Sequence, residues 1–197
     1  MKRIFHEPLC KSLMQTPFLS FLHVIASDEN EVLLLNALPP NLQKLYLTGQ
    51  LDKDSFQAVG QNLYSLRLHL SQLIEDPLPS ISLLPNLTEL FLNGAYNGEK
   101  LVFLTDWFPN LKTLHLRDLH NLKQLEIQEG AMVTLEKLSL VNLDNITEIP
   151  PGIKFLVTLQ YLGFHEITPD FLTLLRECAR NSGMRQFWYT PRVLANP

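Results

Sequence analysis

The sequence of 197 residues has little cysteine, no excess of basic residues and no long apolar run. Its two cysteines, Cys10 and Cys178, stand near opposite ends of the chain. A disulfide scaffold is therefore not expected, and so low a cysteine content is typical of a reducing cytosol. The formal net charge of −4 gives no reason to expect nucleic acid or an anionic membrane as a partner, because either would need a basic stripe.

Targeting signals and membrane spans are missing as well. The charged start of the chain is followed by Glu7, Pro8 and Lys11, which interrupt the apolar run that a signal peptide would need. No apolar segment reaches the length of a membrane-spanning helix. Together with the cysteine content, these absences favour a cytoplasmic protein.

Sequence patterns of catalysis, nucleotide binding and metal binding are also absent. The chain has no Gly-x-Ser-x-Gly elbow of a hydrolase and no Gly-x-x-x-x-Gly-Lys-Ser/Thr loop that would hold nucleotide phosphates. The six histidines form no ligand-spaced pair on one element, and the two cysteines lack the spacing of a zinc site. We therefore expect no enzymatic activity, no metal and no cofactor in this chain.

What the sequence does contain is a sevenfold repeat of the pattern Leu-x-x-Leu-x-Leu. Leucine fills 19 of the 21 pattern positions, and Val24 and Phe164 fill the other two. The intervals between copies are 23, 21, 24, 24, 24 and 24 residues. A period in the twenties with this pattern is typical of a leucine-rich-repeat solenoid. The copies begin at Leu19, Leu42, Leu63, Leu87, Leu111, Leu135 and Leu159.

Each copy predicts one short strand, because the alternating half of the pattern turns leucine to one face and other residues to the opposite face. One repeat cannot bury its own leucines, but stacked repeats bury them in one continuous core. We therefore expect an α/β leucine-rich-repeat horseshoe with a parallel concave sheet of about seven strands. On the convex side, residues 52–60 and 101–108 are expected to carry short helices. The second leucine run, residues 119–127, is interpreted as a convex half-repeat and not as a further strand of the main sheet.

Three regions follow from this pattern. Residues 1–18 are interpreted as an incomplete preceding repeat or a ragged start, residues 19–167 as the solenoid, and residues 168–197 as a C-terminal capping helix and tail. Thr168-Pro169-Asp170 is a helix-start signal. The apolar face of this helix is expected to cover the last strand with Phe171, Leu172, Leu174, Leu175 and Cys178.

The ninth position of each repeat carries no asparagine. Many extracellular repeats use an asparagine there to bond the turn backbone, so the turns of this chain must be satisfied by other means. The residues at this position are Ser27, Gln50, Ser71, Ala95, Leu119, Leu143 and Ile167.

The segments that link the leucines carry a family resemblance. They include residues 38–49, Glu75-Asp76-Pro77-Leu78, Phe108-Pro109-Asn110-Leu111-Lys112, Glu129-Gly130-Ala131-Met132 and Ile149-Pro150-x-Gly152-Ile153. From about residue 11 to residue 180 the chain resembles the C-terminal leucine-rich-repeat region of plant intracellular nucleotide-binding disease resistance proteins, particularly the coiled-coil class of cereals.

This resemblance implies a protein-recognition domain of an innate immune receptor, acting in the plant defence response. Such a domain senses pathogen effectors, directly or through a guarded host protein, and regulates an attached nucleotide switch. Its partners would be an effector, the host protein or the receptor's own nucleotide-binding domain. Any nucleotide would bind to that domain, which is not in this sequence. The alternative is a free-standing leucine-rich-repeat adaptor or scaffold.

The residues between the leucines form exposed columns on the expected concave face. The fifth pattern position is His23, Tyr46, Arg67, Phe91, His115, Ser139 and Gly163, and the seventh is Ile25, Thr48, His69, Asn93, Arg117, Val141 and His165. Tyrosine and arginine are enriched at binding hot spots. The candidate partner-binding residues are Tyr46, Arg67, His69, Phe91, Asn93, His115 and Arg117. The alternative for these side chains is ordinary cross-strand packing on an exposed sheet.

Overall fold

The structure is a computed structural model that describes residues 12–28, 31–35, 38–52, 60–182 and 188–191, with the side chains of 178–182 and 188–191 left aside. Most of its regular structure is short strands. In chain order these are β1 Phe21–Ile25, β2 Val32–Leu33, β3 Lys44–Thr48, β4 Gln50–Leu51, β5 Ser65–His69, β6 Glu89–Asn93, β7 Lys100–Phe103, β8 Thr113–Arg117, β9 Gln124–Ile127, β10 Lys137–Val141, β11 Tyr161–Ile167 and β12 Trp188–Pro191.

One strand from every repeat joins a parallel main sheet, in the order β1-β3-β5-β6-β8-β10-β11-β12. The first seven of these are the strands that the leucine pattern predicts, so the expected solenoid is confirmed. In each, the leucines point into the core: in β3, for example, Leu45 and Leu47 are buried while Lys44, Tyr46 and Thr48 are partly exposed. A continuous hydrophobic cluster runs from Val24 to Leu175 behind the sheet.

The strands pair without register shifts from β1 to β11. Tyr46 stands opposite Arg67, Arg67 opposite Phe91, and Phe91 opposite His115. Residues at the same pattern position therefore lie side by side on neighbouring strands. The columns inferred from the leucine pattern exist as rows of adjacent side chains.

Among the described residues, the convex side of the core carries little helix. It contains the short helix α1 Leu78–Ile81, a 3-10 helix at Pro151–Phe155, and two separate two-stranded parallel sheets, β2-β4 and β7-β9. The helix expected at residues 101–108 is wrong, because residues 100–103 form β7. Leu101 and Phe103 alternate into the core with period two, which suits a strand and not a helix. The helix expected at 52–60 falls on residues 53–59, outside the described residues.

The leucine run at residues 119–127 lies on the convex side, as expected. Its last part forms β9, which pairs with β7 and takes no part in the main sheet. The run therefore supplies the back of one repeat while Thr113–Arg117 supplies its strand.

The question of a disulfide between the two cysteines falls outside the described residues, because Cys10 is not described.

The helix expected near the C-terminus is present as α2 Pro169–Ser182. Phe171 and Leu175 are buried, and the ring of Phe171 lies 5.5 Å from that of Phe164 in β11. Leu174 was expected on the same face but is 39% exposed. It is turned about 100° from Leu175 around the helix axis, away from the line through Phe171 and Leu175.

The tail adds an eighth strand that the leucine pattern does not predict. Strand β12 runs parallel to β11, with Trp188 opposite Gly163 and Tyr189 opposite Phe164. In the sequence, Met184-x-x-Phe187-x-Tyr189 keeps the pattern at an interval of 25 residues from Leu159, with other apolar residues in place of leucine. Helix α2 thus occupies the convex half of a further, divergent repeat. Phe187 lies outside the described residues.

From the second repeat on, the turns are tied by a ladder of hydrogen bonds from the residue that precedes the first leucine of the repeat. Asn110 Nδ2 donates to the carbonyl oxygen of Pro85 at 2.8 Å, and Asn62 Nδ2 donates to that of Pro40 at 3.1 Å. Thr134 and Thr158 donate through their hydroxyl groups at the same position. These bonds take the role that asparagine at the ninth position has in other repeats. The ladder residues are Asn41, Asn62, Asn86, Asn110, Thr134 and Thr158.

Six of the seven repeats have a left-handed backbone conformation at the eighth pattern position, and only Ala26 of the first repeat does not adopt it. Glycine occupies this position at Gly49 and Gly94, with φ of +126° and +56°. Side-chain-bearing residues adopt it at Leu70, Asp118, Asn142 and Glu166, with φ between +51° and +54°.

Within the described ranges, no helix is long and apolar enough to cross a bilayer.

Candidate functional site

The seven candidate residues all lie on four adjacent strands of the main sheet. Tyr46 is on β3, Arg67 and His69 are on β5, Phe91 and Asn93 are on β6, and His115 and Arg117 are on β8. In-register pairing brings them together in two rows. We call these seven residues the central patch.

The first row is a stack of rings around one guanidinium group. The Cζ atom of Arg67 lies 4.5 Å from the ring centroid of Tyr46 and 4.2 Å from that of Phe91. Strands about 4.8 Å apart place side chains at this spacing, so a flat cation fits between two rings on its neighbours. The ring of His115 continues the row, 5.6 Å from that of Phe91.

Phe21 extends this row and was missed by the sequence argument. Its ring lies 4.8 Å from that of Tyr46 in an edge-to-face arrangement, and the residue is 46% exposed. Phe21 occupies the third pattern position and not the fifth, so reading single columns hides the contact. The diagonal reach of aromatic side chains across a strand pair is the signal that could have found it.

Arg67 has no ion pair and no hydrogen bond with any residue that the structure describes. It is exposed, whereas Tyr46, Phe91 and His115 are each half-buried. The two flanking rings cover its planar group. Its five N–H donors are left to solvent or to a ligand.

Arg117, in the second row, has the opposite environment. Its Nε donates to Asp118 Oδ2 at 3.2 Å and its Nη2 to Glu166 Oε1 at 3.4 Å. Asn142 Nδ2 donates to the other oxygen of Asp118 at 2.6 Å. Burial opposes ionisation of Asp118, but the hydrogen bonds from Asn142 and Arg117 outweigh it, so the pKa of Asp118 lies below its usual value. The left-handed exits at Asp118 and Glu166 bring both acids beside Arg117.

His115 behaves as an aromatic ring more than as a cation. Burial lowers the pKa of His115, and the charge of Arg117 lowers it further, followed by His165 and Arg67. Asp118 acts in the opposite direction and does not compensate. The neutral imidazole therefore packs against Phe91 at neutral pH. Asn93 is half-buried, and its Oδ1 has no hydrogen-bond partner among the described residues.

The C-terminal end of the same face is covered by a side-chain bridge. The hydroxyl of Tyr161 and Nε2 of His165 are 2.8 Å apart. They meet above Gly163, where a Cβ atom would lie 2.5 Å from Tyr161 Oη and 2.7 Å from His165 Nε2. The open, ring-rich part of the face is therefore the central patch and its neighbour Phe21. In the described part of the chain, no three His, Cys, Asp or Glu residues are grouped so that they could hold a metal ion.

Comparison with known proteins supports one relationship. The chain is 36% identical over 106 residues to disease resistance protein RPM1 of Arabidopsis thaliana, which is 52% of this chain and 11% of that protein. The resemblance to plant disease resistance proteins is thus confirmed over half of the chain. The matched region spans about a tenth of the length of that relative. No protein-family profile matches the chain. No solved structure matches it either.

Proposed function

We propose that this leucine-rich-repeat solenoid, which resembles a plant disease resistance protein, is a protein-recognition region that acts in plant defence. The observation that carries the proposal is the stack in which Arg67 lies between Tyr46 and Phe91 at the centre of the open face. The exposed rings on this sheet offer contact area of the kind that protein interfaces use.

The stack supports recognition because it fixes side chains before a partner arrives. Ordering a flexible side chain at an interface costs about 0.5–1.5 kcal/mol. Arg67, Tyr46 and Phe91 restrict one another's rotamers across three strands, so much of that cost is met in the unbound chain. The side chains of this patch do pack across the strands, which is the alternative explanation for their presence on an exposed sheet. Packing and recognition use the same contacts, and only binding measurements separate them.

The proposed mechanism is a change of contact that biases an attached switch. A pathogen effector, or a host protein that an effector alters, would engage the concave face in the cytoplasm. The change in that contact would shift the equilibrium of a neighbouring nucleotide-binding domain. Nucleotide chemistry would belong to that domain and to no residue of this chain. In the alternative, a free-standing adaptor, the same face would hold a substrate for another complex, and the reading frame upstream of this segment distinguishes the two.

A proximity-labelling experiment in leaf cells tests the proposal. The protein is expressed with a labelling enzyme as wild type, as Arg67→Glu, as Phe91→Ala, and as the control Lys154→Glu in the exposed surface of the 3-10 helix. We expect the wild type and the Lys154→Glu control to label the same cellular proteins. Labelling of these proteins should be lost when either Arg67→Glu or Phe91→Ala is expressed instead. Identical labelling by all four proteins would remove the central patch from consideration as the recognition surface.

A further inference from the structure

Lysine or arginine occupies four of the third, fifth and seventh pattern positions on the main sheet, and these four side chains differ in what surrounds them. Arg117 is held by Asp118 and Glu166. Lys44 lies over the ring of Tyr64 at 5.4 Å from its centroid. Lys137 is exposed and stands opposite Tyr161 on β11, but it makes no cation–π contact with any described ring. Arg67 alone combines two covering rings with the absence of a described acidic partner.

This environment presets the guanidinium group of Arg67 for one kind of ligand. Tyr46 and Phe91 flank the planar group on both sides, which leaves the N–H donors at its edge for hydrogen bonding. A guanidinium edge matches the two oxygens of a carboxylate in a bidentate pair. Because the rings already hold the group, less side-chain entropy is lost when the pair forms.

The local charge favours a carboxylate over a phosphate. A phosphate ester carries about −1.5 to −2 charges at neutral pH and is usually met by several cations. Around Arg67, the cation Arg117 is already paired with two acids, and burial keeps His115 neutral. The neighbouring Glu89 accepts a hydrogen bond from Ser65 Oγ at 2.8 Å and adds negative charge to this region. Of the two arginines, only Arg67 lacks a described acidic partner, so one guanidinium group is available for one negative charge. Lys44 on the neighbouring strand lies over Tyr64, and its charge is offset by that of Glu89.

Apolar side chains lie on one side of this cation. Phe21 and Ile25 on β1 are 46% and 60% exposed, two strands away from Arg67 in the sheet. Two strand spacings amount to about 10 Å, which an extended segment covers in about three residues. A partner segment that crosses the strands would place an apolar residue over β1 and its acid over β5.

We propose that Arg67 receives the side-chain carboxylate of an aspartate or glutamate of the protein partner, and that an apolar residue about three positions away in the same segment packs on Phe21, whose ring continues the stack beyond Tyr46. The inference rests on the proposed function and specifies the chemistry of its partner. It makes Arg67 the polar anchor of the recognition surface, with Tyr46 and Phe91 as the residues that hold it in place.

A peptide selection with the full 197-residue chain tests this inference. A random peptide library displayed through its C-terminus on phage is selected on the wild-type chain, and each retained peptide is then tested for binding to Arg67→Gln. The retained peptides should carry an aspartate or glutamate with an apolar residue about three positions away. Their synthetic, C-terminally amidated forms are then titrated by fluorescence anisotropy, so that any carboxylate bound is a side chain.

Five variants give the expected pattern in that titration. Arg67→Gln should weaken binding by about 10- to 100-fold, the range expected for a hydrogen bond between charged groups. Arg67→Lys, which keeps the charge but not the planar edge, should recover only part of the affinity. The matched control Lys137→Gln removes an exposed charge from the same sheet outside the central patch. It should change affinity by less than about threefold, since β10 lies three strands from β5, about 14 Å away, where salt screens the charge. Phe91→Ala should weaken binding, and exposed Lys154→Glu should not.

A peptide in which the acid is replaced by its amide should bind the wild-type chain as weakly as Arg67→Gln binds the parent peptide. It should bind the Arg67→Gln chain with no further loss. Peptides without an acid that still depend on Phe91 would overturn the carboxylate inference and leave the recognition surface intact. Both proposals would be contradicted if the selected peptides bound the wild type, Arg67→Gln and Phe91→Ala with equal affinity. They would also be contradicted if no peptide were selected. A tenfold gain on replacing the acid by phosphoserine, or a need for a free C-terminal carboxylate, would assign Arg67 to a different anion.

Discussion

The side-chain amide of Asn110 donates a hydrogen bond to the carbonyl oxygen of Pro85, one full repeat earlier, at 2.8 Å. Asn110→Ala should lower the free energy of unfolding by about 1 kcal/mol, because the carbonyl oxygen of Pro85 loses its hydrogen-bond donor and the two neighbouring turns are no longer linked. Asn110→Thr is the matched variant, since Thr134 and Thr158 occupy the equivalent position and bond through their hydroxyl groups. Urea unfolding measures both. Equal midpoints for the alanine variant and the wild type would show that the ladder adds nothing.

Two glycines with close contacts should respond very differently to alanine. A Cβ on Gly152 would lie 1.8 Å from the backbone oxygen of Ile127, which cannot move without disturbing β9. Gly152→Ala should therefore cost about 3 kcal/mol or more, at the upper end of overpacking effects. On Gly163 the close atoms are the ends of the Tyr161 and His165 side chains, which can turn away, so Gly163→Ala should cost less than about 1 kcal/mol. Thermal unfolding of the two variants under identical conditions measures the two losses of stability. Similar losses for Gly152→Ala and Gly163→Ala would contradict this prediction.

Leu70 is a place where the chain can be stabilised. It adopts φ of +53° at a strand exit where four other repeats have glycine, asparagine or aspartate, and it is 50% exposed. Leu70→Asn should raise stability by up to about 1 kcal/mol, because asparagine tolerates the left-handed conformation better. The β-branched variant Leu70→Val should lower it. The two melting temperatures should move in opposite directions, and a loss in both would show that the packing of Leu70 outweighs its backbone conformation.

Acidification should weaken the fold through His115. The pKa of His115 is lowered from its ordinary value of 6.5, mainly by burial and then by the charge of Arg117. The unfolded chain therefore takes up this proton more readily than the folded chain. The contribution to stability is complete above pH 6.5 and is lost as the pH falls through the lower, folded-state pKa. Free energies of unfolding measured by urea titration from pH 8 to pH 5 should fall over that window, and His115→Gln should make the fall shallower. An unchanged slope in the variant would count against this assignment.

Much of the concave face could be predicted from the sequence because a single physical rule governs it. Leucines at alternating positions must share one interior, so their neighbours are forced into exposed columns, and the pairing of Tyr46 with Arg67 follows from counting. The convex side obeys no such rule. Residues 100–103 form a strand because Leu101 and Phe103 alternate, but a pattern of four residues is too short to exclude a helix. Strand β12 was missed because other apolar residues replace the leucines of its repeat.

The sequence pattern could not predict that Arg117 is paired with acidic side chains while Arg67 lacks a described acidic partner. Both occupy exposed column positions, and the pattern treats Arg67 and Arg117 alike. The structure separates them through the left-handed exits at Asp118 and Glu166, which place carboxylates beside Arg117, whereas the exit after β5 is Leu70. Side-chain pairing across a sheet depends on such backbone details and on rotamers that a one-dimensional period does not encode.

The ladder that ties each turn to the previous one has a consequence for the length of the molecule. Each rung needs only an amide or hydroxyl on one turn and a main-chain oxygen on the turn before it, and neither depends on how many turns precede or follow. A unit such as residues 111–134, duplicated in tandem, would meet matching donors and acceptors at both of its junctions. Unequal recombination within such a gene would thus yield longer or shorter arrays that still fold, and with them wider or narrower concave faces for selection to act upon.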